Sequence, residues 1–296
     1  MRLASFEVAG RRTWGIHRGD RVVTADALGL EARWPSMIDL IGTGDEGVRS
    51  VGEAAAGVDD GIPVTEILLL SPVPVPPQNP VAVGLNYRAH SDESAPATGI
   101  NEELAFPMLF TKARSSVIGP DEPIRIDPRA TERADWEVEL TVVIGRGGRD
   151  IPEEEALDHV FGYTVGNDVS ARDLQFRDPT LPQFHQGKSL DTFCPIGPWI
   201  VPREELDVSD LRISLRVNGL TKQEDSTFQM IFGVPALVAE VSRSRTLEPG
   251  ELILTGTPAG VGFMREPPEY LRHGDVVEAE IEGIGVLRNP VAVVGG

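Results

Sequence analysis

One cysteine, Cys194, stands in a chain of 296 residues. An intramolecular disulfide is therefore excluded, and so is a zinc site built on several thiolates. Its setting, FCPIGP, reads as a small buried residue rather than a nucleophile. Long apolar runs are missing too. No stretch approaches the roughly 18–20 consecutive apolar residues of a membrane span, and the opening MRLASFEVAG has neither the apolar centre nor the cleavage site of a signal peptide. A cytoplasmic protein without a membrane partner is expected. Positive charge is scarce: 27 Lys and Arg stand against 46 Asp and Glu, a net charge of -19. That balance repels polyanions, so nucleic acid is not an expected partner. No Walker or Rossmann glycine pattern occurs, which argues against a nucleotide enzyme.

What is present is strand-like. Hydrophobic residues make up 41% of the chain, enough for a sizeable core. The first 70 residues alternate in short runs, LASFEV, TWGIH and RVVTA, followed by a helical stretch around SMIDLIG. SPVPVPPQNP, residues 71–80, holds five prolines in ten positions and predicts a stiff extended connector. A boundary placed there divides the chain into a small N-terminal domain, 1–72, and a larger one, 73–296. Beyond it VAVGLNY reads as a strand ending at Gly84. Residues 86–107 then read as a polar, lid-like loop whose first part, YRAHSDES, can form a short helix. WEVELTVVIG, HVFGYTVGND, LRISLRVNG, ELILTG and DVVEAEIEGIGVLRNPV are further strands. IPEEEALDHV and about Val234–Val241 predict helices. The expectation is a β-rich α+β fold, a closed or rolled mixed sheet with few helices.

DWEVEL, residues 135–140, poses the chemical question. In a strand Asp135, Glu137 and Glu139 share one face, and Trp136, Val138 and Leu140 the other. Like charges so close repel, which a solvated edge tolerates and a buried face does not. Val142, Val143 and Ile144 follow directly, which points to burial on both faces. A second strand ends at Asn167-Asp168, with Ser170 placed to cap a helical turn carrying Arg172 and Gln175. If Asp168 projects toward Glu137 and Glu139, three carboxylates converge. Such an oxygen-only set suits Mg2+ first, Mn2+ or Ca2+ next. An exposed acidic strand face is the competing reading, with Asp135 its solvated first residue.

Among five histidines, His17, His159 and His273 lie in hydrophilic contexts that predict surface positions, and His185 is ambiguous. His90 differs, because Glu93 three residues later shares its side of a helical turn and would orient and activate the imidazole. Lys188, at the head of an apolar run, is either a cation closing over a site or a surface lysine with a buried stem. TGTPAGVG, residues 255–262, reads as a tight turn whose amides and Thr257 hydroxyl can meet a carboxylate.

Taken in order, GLNYRAH, DWEVELTVVIG, GYTVGNDVSARDLQ, GKSLDTFCPIGPWIV, the VNG turn, TLEPGELILTGTPAGVG and HGDVVEAEIEGIGVLRN resemble the catalytic domain of the fumarylacetoacetate hydrolase superfamily. The resemblance implies a mixed β-sandwich roll, usually homodimeric, behind a small N-terminal α+β domain. It implies Mg2+ or Mn2+ on Glu137, Glu139 and Asp168, and a water-activating pair, His90 and Glu93, on a lid. Lys188, Arg172 and Gln175 match substrate-contacting positions, and Thr257 a carboxylate-binding threonine. Larger eukaryotic members carry a tyrosine four positions past Gln175. Pro179 stands there in this chain, so shorter bacterial-type members are the better match. The activity implied is hydrolytic carbon–carbon cleavage of a 2,4-dioxo acid through a pyruvate-type enolate, with Lys188 and Gln175 stabilising developing charge. Oxaloacetate decarboxylation, isomerisation of 2-oxo-diene-dioates and a non-catalytic ligand-binding role stay open.

Overall fold

The computed structural model describes residues 1–58, 60–98, 104–178 and 180–295, without side chains at 97 and 98; Pro179 therefore lies outside the described residues. The fold is strand-rich, with mixed sheets and a few helices. One large sheet runs in the order Ile62–Pro63, Arg21–Thr24, Arg11–Arg18, Leu3–Val8, Cys194–Pro202, Val160–Asn167, Val138–Ile144, Leu252–Leu254, Val81–Gly84, Met108–Thr111. A second sheet is ordered Leu220–Ser226, Arg212–Val217, Val276–Ile281, Gly285–Val293, Ile124–Ile126. Leu3 pairs with Ile200 across the first sheet, so the hydrogen-bonded ladder continues from before the proline connector to well beyond it.

Strand Val138–Ile144 is buried along its whole length. Val138, Leu140, Val142 and Ile144 join Trp136 and the apolar residues of the second sheet, including Ile213, Leu215, Val277 and Ala279, in one core. Val143 packs the other way, with Leu3, Trp14, Ile196 and Leu252. Each large side chain buried here contributes about 1.5–3 kcal/mol. The alternation read from DWEVEL holds, but the acidic face is interior, where Glu139 must be held by something other than water.

Local readings needed three corrections. IPEEEALDHV forms a 3-10 helix, Glu153–His159, because Pro152 precedes a run that buries only Ala156 and His159. His159 is buried, not on the surface, and its Nδ1 lies 2.8 Å from the Arg146 carbonyl. Ser170 does not cap the turn Arg172–Gln175. It pairs with Asp135 in a two-residue strand, its hydroxyl donating to the Asp168 carbonyl at 2.9 Å. Within the lid-like stretch 86–107, residues Arg88–Thr98 form a helix, 104–107 are irregular, and 99–103 lie outside the described residues. Among the described residues no helix is long and apolar enough to cross a membrane.

Candidate metal centre and acid–base site

The register of two antiparallel strands brings the acids together. Val138 pairs with Asn167 and Glu139 with Gly166, so Asp168, one residue past its strand, falls beside Glu137. The Asp168 amide donates to the Glu137 carbonyl at 2.8 Å and the Asn167 side chain accepts from the Glu137 amide at 3.0 Å. Carboxylate oxygens of Glu137, Glu139 and Asp168 lie within 4.8 Å of one another, all buried.

Cations compensate most of this charge. Lys188 Nζ donates to Glu137 Oε2 at 2.9 Å and Asp168 Oδ2 at 2.7 Å. Arg172 contacts Glu137 at 2.7 Å and Asp135 at 2.8 Å. Lys112, which sequence reading missed, is paired with Asp168 Oδ1 and donates to the Val169 carbonyl at 2.9 Å. Asp135 is no solvated strand end: it is fully buried, accepts from the Gly262 and Phe263 amides, and fixes Arg172.

Four carboxylates thus face three cations, and the residual charge sits on Glu139. No ion pair reaches Glu139 among the described residues; the Gly256 amide donates to it at 2.6 Å. Burial first, then the neighbouring Asp168 and Glu137 charges, push its carboxyl well above the usual range. Glu137 behaves oppositely: burial alone would raise it, but Lys188 and Arg172 outweigh that and hold it down to about 2. Lys188 is likewise raised, because Asp168 and Glu137 overcome the cost of burying its ammonium. A buried, oxygen-only triad with one uncompensated negative charge fits a hard divalent cation.

His90 and Glu93 share helix Arg88–Thr98, and His90 Nδ1 lies 2.9 Å from Glu93 Oε1. A carboxylate only accepts, so Nδ1 carries a proton, and in the neutral imidazole Nε2 is then the nitrogen with the free lone pair. Glu93 also takes the Gly260 amide at 3.1 Å. The loop 255–263 therefore aims amides at three carboxylates of the chain itself, those of Glu139, Glu93 and Asp135. Gly260 has φ +100°, and an added Cβ would lie 2.2 Å from the Lys222 carbonyl oxygen. Gly260→Ala is expected to cost about 1–3 kcal/mol of stability and to detach Glu93. Thermal unfolding measured alongside turnover checks this, and a variant indistinguishable from wild type in both would refute it.

His90, Glu137, Arg172, Gln175, Lys188 and Thr257 line one cavity of about 40 Å³. Gln175 accepts from Arg172 at 3.0 Å, which leaves its amide nitrogen for a ligand. Thr257 accepts from Gln223, whose own carbonyl takes the Val138 amide, so its hydroxyl proton is available. Stacked pairs Phe110–Phe184 and Phe176–Phe263 and the Met108 side chain make the apolar wall. A much larger groove, about 560 Å³, lies beside Thr43, Arg146 and Arg203. Arg203 there is already paired with Asp45 and Asp158, and none of the residues above reaches it. The smaller cavity is the candidate chemical site.

Comparison with known proteins identifies the family. The family described as "Fumarylacetoacetate (FAA) hydrolase C-terminal" matches residues 79–292. Oxaloacetate tautomerase YisK of Bacillus subtilis (strain 168) is 41% identical over 271 residues, covering 88% of each chain. The fumarylacetoacetate hydrolase EaFAH of psychrophilic Exiguobacterium antarcticum superposes with a TM-score of 0.83 at 40% identity, covering 99% of this chain and 100% of that one. Maleylpyruvate hydrolase of Sphingobium sp. SYK-6, in complex with manganese (II) ion and pyruvate, superposes with a TM-score of 0.79 at 31% identity over 100% of both chains. Ordered motifs, converging triad and matched fold together place this chain in the fumarylacetoacetate hydrolase family.

Proposed function

We propose that the protein is a divalent-cation-dependent enzyme that enolises small 2-oxo acids, with keto–enol tautomerisation of oxaloacetate as its reaction. The observation that carries this reading is a cavity lined by both the imidazole of His90, held by Glu93, and Glu137, whose carboxylate belongs to a buried triad with Glu139 and Asp168. Glu137, Glu139 and Asp168 would hold Mg2+ or Mn2+. Bound there, the cation supplies positive charge against the enolate that forms when a 2-oxo acid loses a proton from C3.

The chain's own side chains do the rest. His90 Nε2 is the base that takes the C3 proton of the keto acid and passes it to the 2-oxygen to complete the enol, the reverse transfers giving back the keto form, with Nδ1–H anchored by Glu93. Lys188 and the Gln175 amide face the oxygen on which charge accumulates, and the Thr257 hydroxyl receives a substrate carboxylate. Such donors act mainly on the charge-separated transition state, so they lower the barrier and do more than tighten binding. The tautomerase named among the relatives favours this reaction.

Carbon–carbon hydrolysis of a 2,4-dioxo acid is the second reading, favoured by one feature. An imidazole fixed by a carboxylate is also suited to activating water, and a structural neighbour is named a hydrolase. The homodimer implied by the family resemblance and the cytoplasmic setting read from the sequence belong to the same proposal.

Following the enol absorbance of oxaloacetate tests it. Purified protein with Mn2+ or Mg2+ should speed keto–enol equilibration far beyond the metal alone, and chelation should remove the effect. No acceleration with either metal would end the tautomerase reading. Cleavage of an acylpyruvate under the same conditions would favour the second.

A further inference from the structure

Asp168 carries two ammonium groups, one on each carboxylate oxygen, and they are differently placed. Lys188 holds Oδ2 at 2.7 Å, bridges to Glu137 at 2.9 Å and lines the cavity. Lys112 holds Oδ1, does not line the cavity, and is 0% exposed. It arrives from behind, from the residue after strand Met108–Thr111, with its own amide held by the Pro80 carbonyl at 2.9 Å. Resting on the metal-dependent reading above, we propose that Lys112 is a positioning residue. It is the permanent counter-ion that holds Asp168 ready for the cation, so that Lys188 is released toward the substrate when the cation enters the triad.

Burying an ammonium is costly unless it is both paired and hydrogen-bonded. A methionine would fill the same apolar space, and the Val169 carbonyl alone needs only a neutral donor. What the lysine adds is charge, delivered to one oxygen of a carboxylate that also takes Lys188. A divalent cation at the triad and an ammonium bridging Glu137 and Asp168 compete for the same oxygens, and like charges there repel. Lys188 is the one that can leave, since it faces the cavity and its Nζ already lies 5.1 Å from the Phe110 ring centroid, within cation–π range.

Both carboxylates that Lys188 bridges keep a second cation when it goes. Glu137 retains Arg172 at 2.7 Å, itself fixed by Asp135. Asp168 retains Lys112. The mobile lysine thus sits between two fixed cations. Groups of this kind, behind the ligands, typically change metal affinity by 10–100-fold when replaced.

Mn2+ titration of the full chain, read by the electron paramagnetic resonance of free Mn2+, separates the two lysines. Lys112→Met should bind Mn2+ some 10–100-fold more weakly than wild type. Lys112→Arg, which keeps the charge, should recover most of that loss, and Lys112→Gln, which keeps only a donor, should not. Lys188→Met should bind Mn2+ at least as tightly as wild type, having lost a competing cation. It should also lose the tightening that added oxalate, a planar dianion resembling an enolised 2-oxo acid, produces in wild type.

Wild-type Mn2+ affinity in Lys112→Met would overturn the proposal, and so would an equal loss in Lys112→Met and Lys188→Met. If circular dichroism shows both neutral variants unfolded while Lys112→Arg is folded, Lys112 serves the fold and the positioning role is refuted. Failure of the wild type itself to bind Mn2+ would instead remove the metal-dependent reading.

Discussion

Glu139→Gln should lower divalent-cation affinity at least about 100-fold, and turnover with it, while leaving the metal-free protein as stable as wild type or more so. The two effects share one cause. Glu139 is the acid of the cluster without an ion-pair partner, and burial together with the Asp168 and Glu137 charges raises its carboxyl well above the ordinary 4.5. The folded state therefore holds that proton more tightly than the unfolded chain does. Stability linked to it is fully present below pH 4.5 and is lost as pH rises toward the raised folded value. An amide cannot ionise, so the variant escapes that loss, and its advantage in metal-free buffer should widen as pH rises.

Glu137→Gln should do the reverse. The Glu137 carboxyl, held down to about 2 by Lys188 and Arg172, contributes stability present above the ordinary 4.5 and lost as pH falls toward about 2. Neutralising it at pH 7 leaves two buried cations with one carboxylate each, Lys188 with Asp168 and Arg172 with Asp135, and should cost up to about 3–5 kcal/mol. Urea unfolding of both variants across pH 5–8, with and without Mn2+, checks the contrast. Equal destabilisation by the two substitutions would show that the charge balance assigned here is wrong.

His90→Ala should reduce turnover of oxaloacetate by about 10²–10⁴-fold, the usual contribution of a positioned acid–base group. Glu93→Ala should follow it in the same direction. Without the carboxylate at 2.9 Å, the imidazole loses both its tautomer and its orientation. Because neither residue is among the three carboxylates of the triad, Mn2+ affinity should change little, and that measurement distinguishes a lost base from a lost metal. A rate within tenfold of wild type in His90→Ala, at full Mn2+ occupancy, would rule out His90 as the proton carrier. Running Glu93→Ala on an acylpyruvate as well compares the hydrolytic reading: cleavage by wild type that survives this change would exclude a dyad-activated water.

Much of the candidate site was readable from short stretches because its residues follow local spacing. Glu137 and Glu139 are two residues apart on one strand, and His90 and Glu93 three apart on one helix. Backbone periodicity alone says which side each faces. The Ser170 cap failed because a hydroxyl before a helical turn has two local uses, and pairing with Asp135 took it into a ladder instead. The helix expected over residues 151–160 formed over Glu153–His159 as a 3-10 helix, a type the pattern does not reveal because it shows apolar residues without showing how few are buried. Asp135 was misjudged for a related reason: it lies at the start of the acidic run, and nothing nearby reveals that amides from residues 262 and 263 reach it.

By itself the sequence determined the class of protein, the alternation that turns acids and apolar residues to opposite faces, the ordered motifs of the family, and the identity of the three acids. Those are properties of composition and of neighbours along the chain. Only the tertiary structure decided which acid is left without a cation. Lys188 meets Glu137 across 51 positions and Lys112 meets Asp168 across 56, and such pairings follow from strand register and packing rather than from spacing. Charge compensation acts through space, in an interior where a few ångströms separate a stable ion pair from a buried charge in need of a metal.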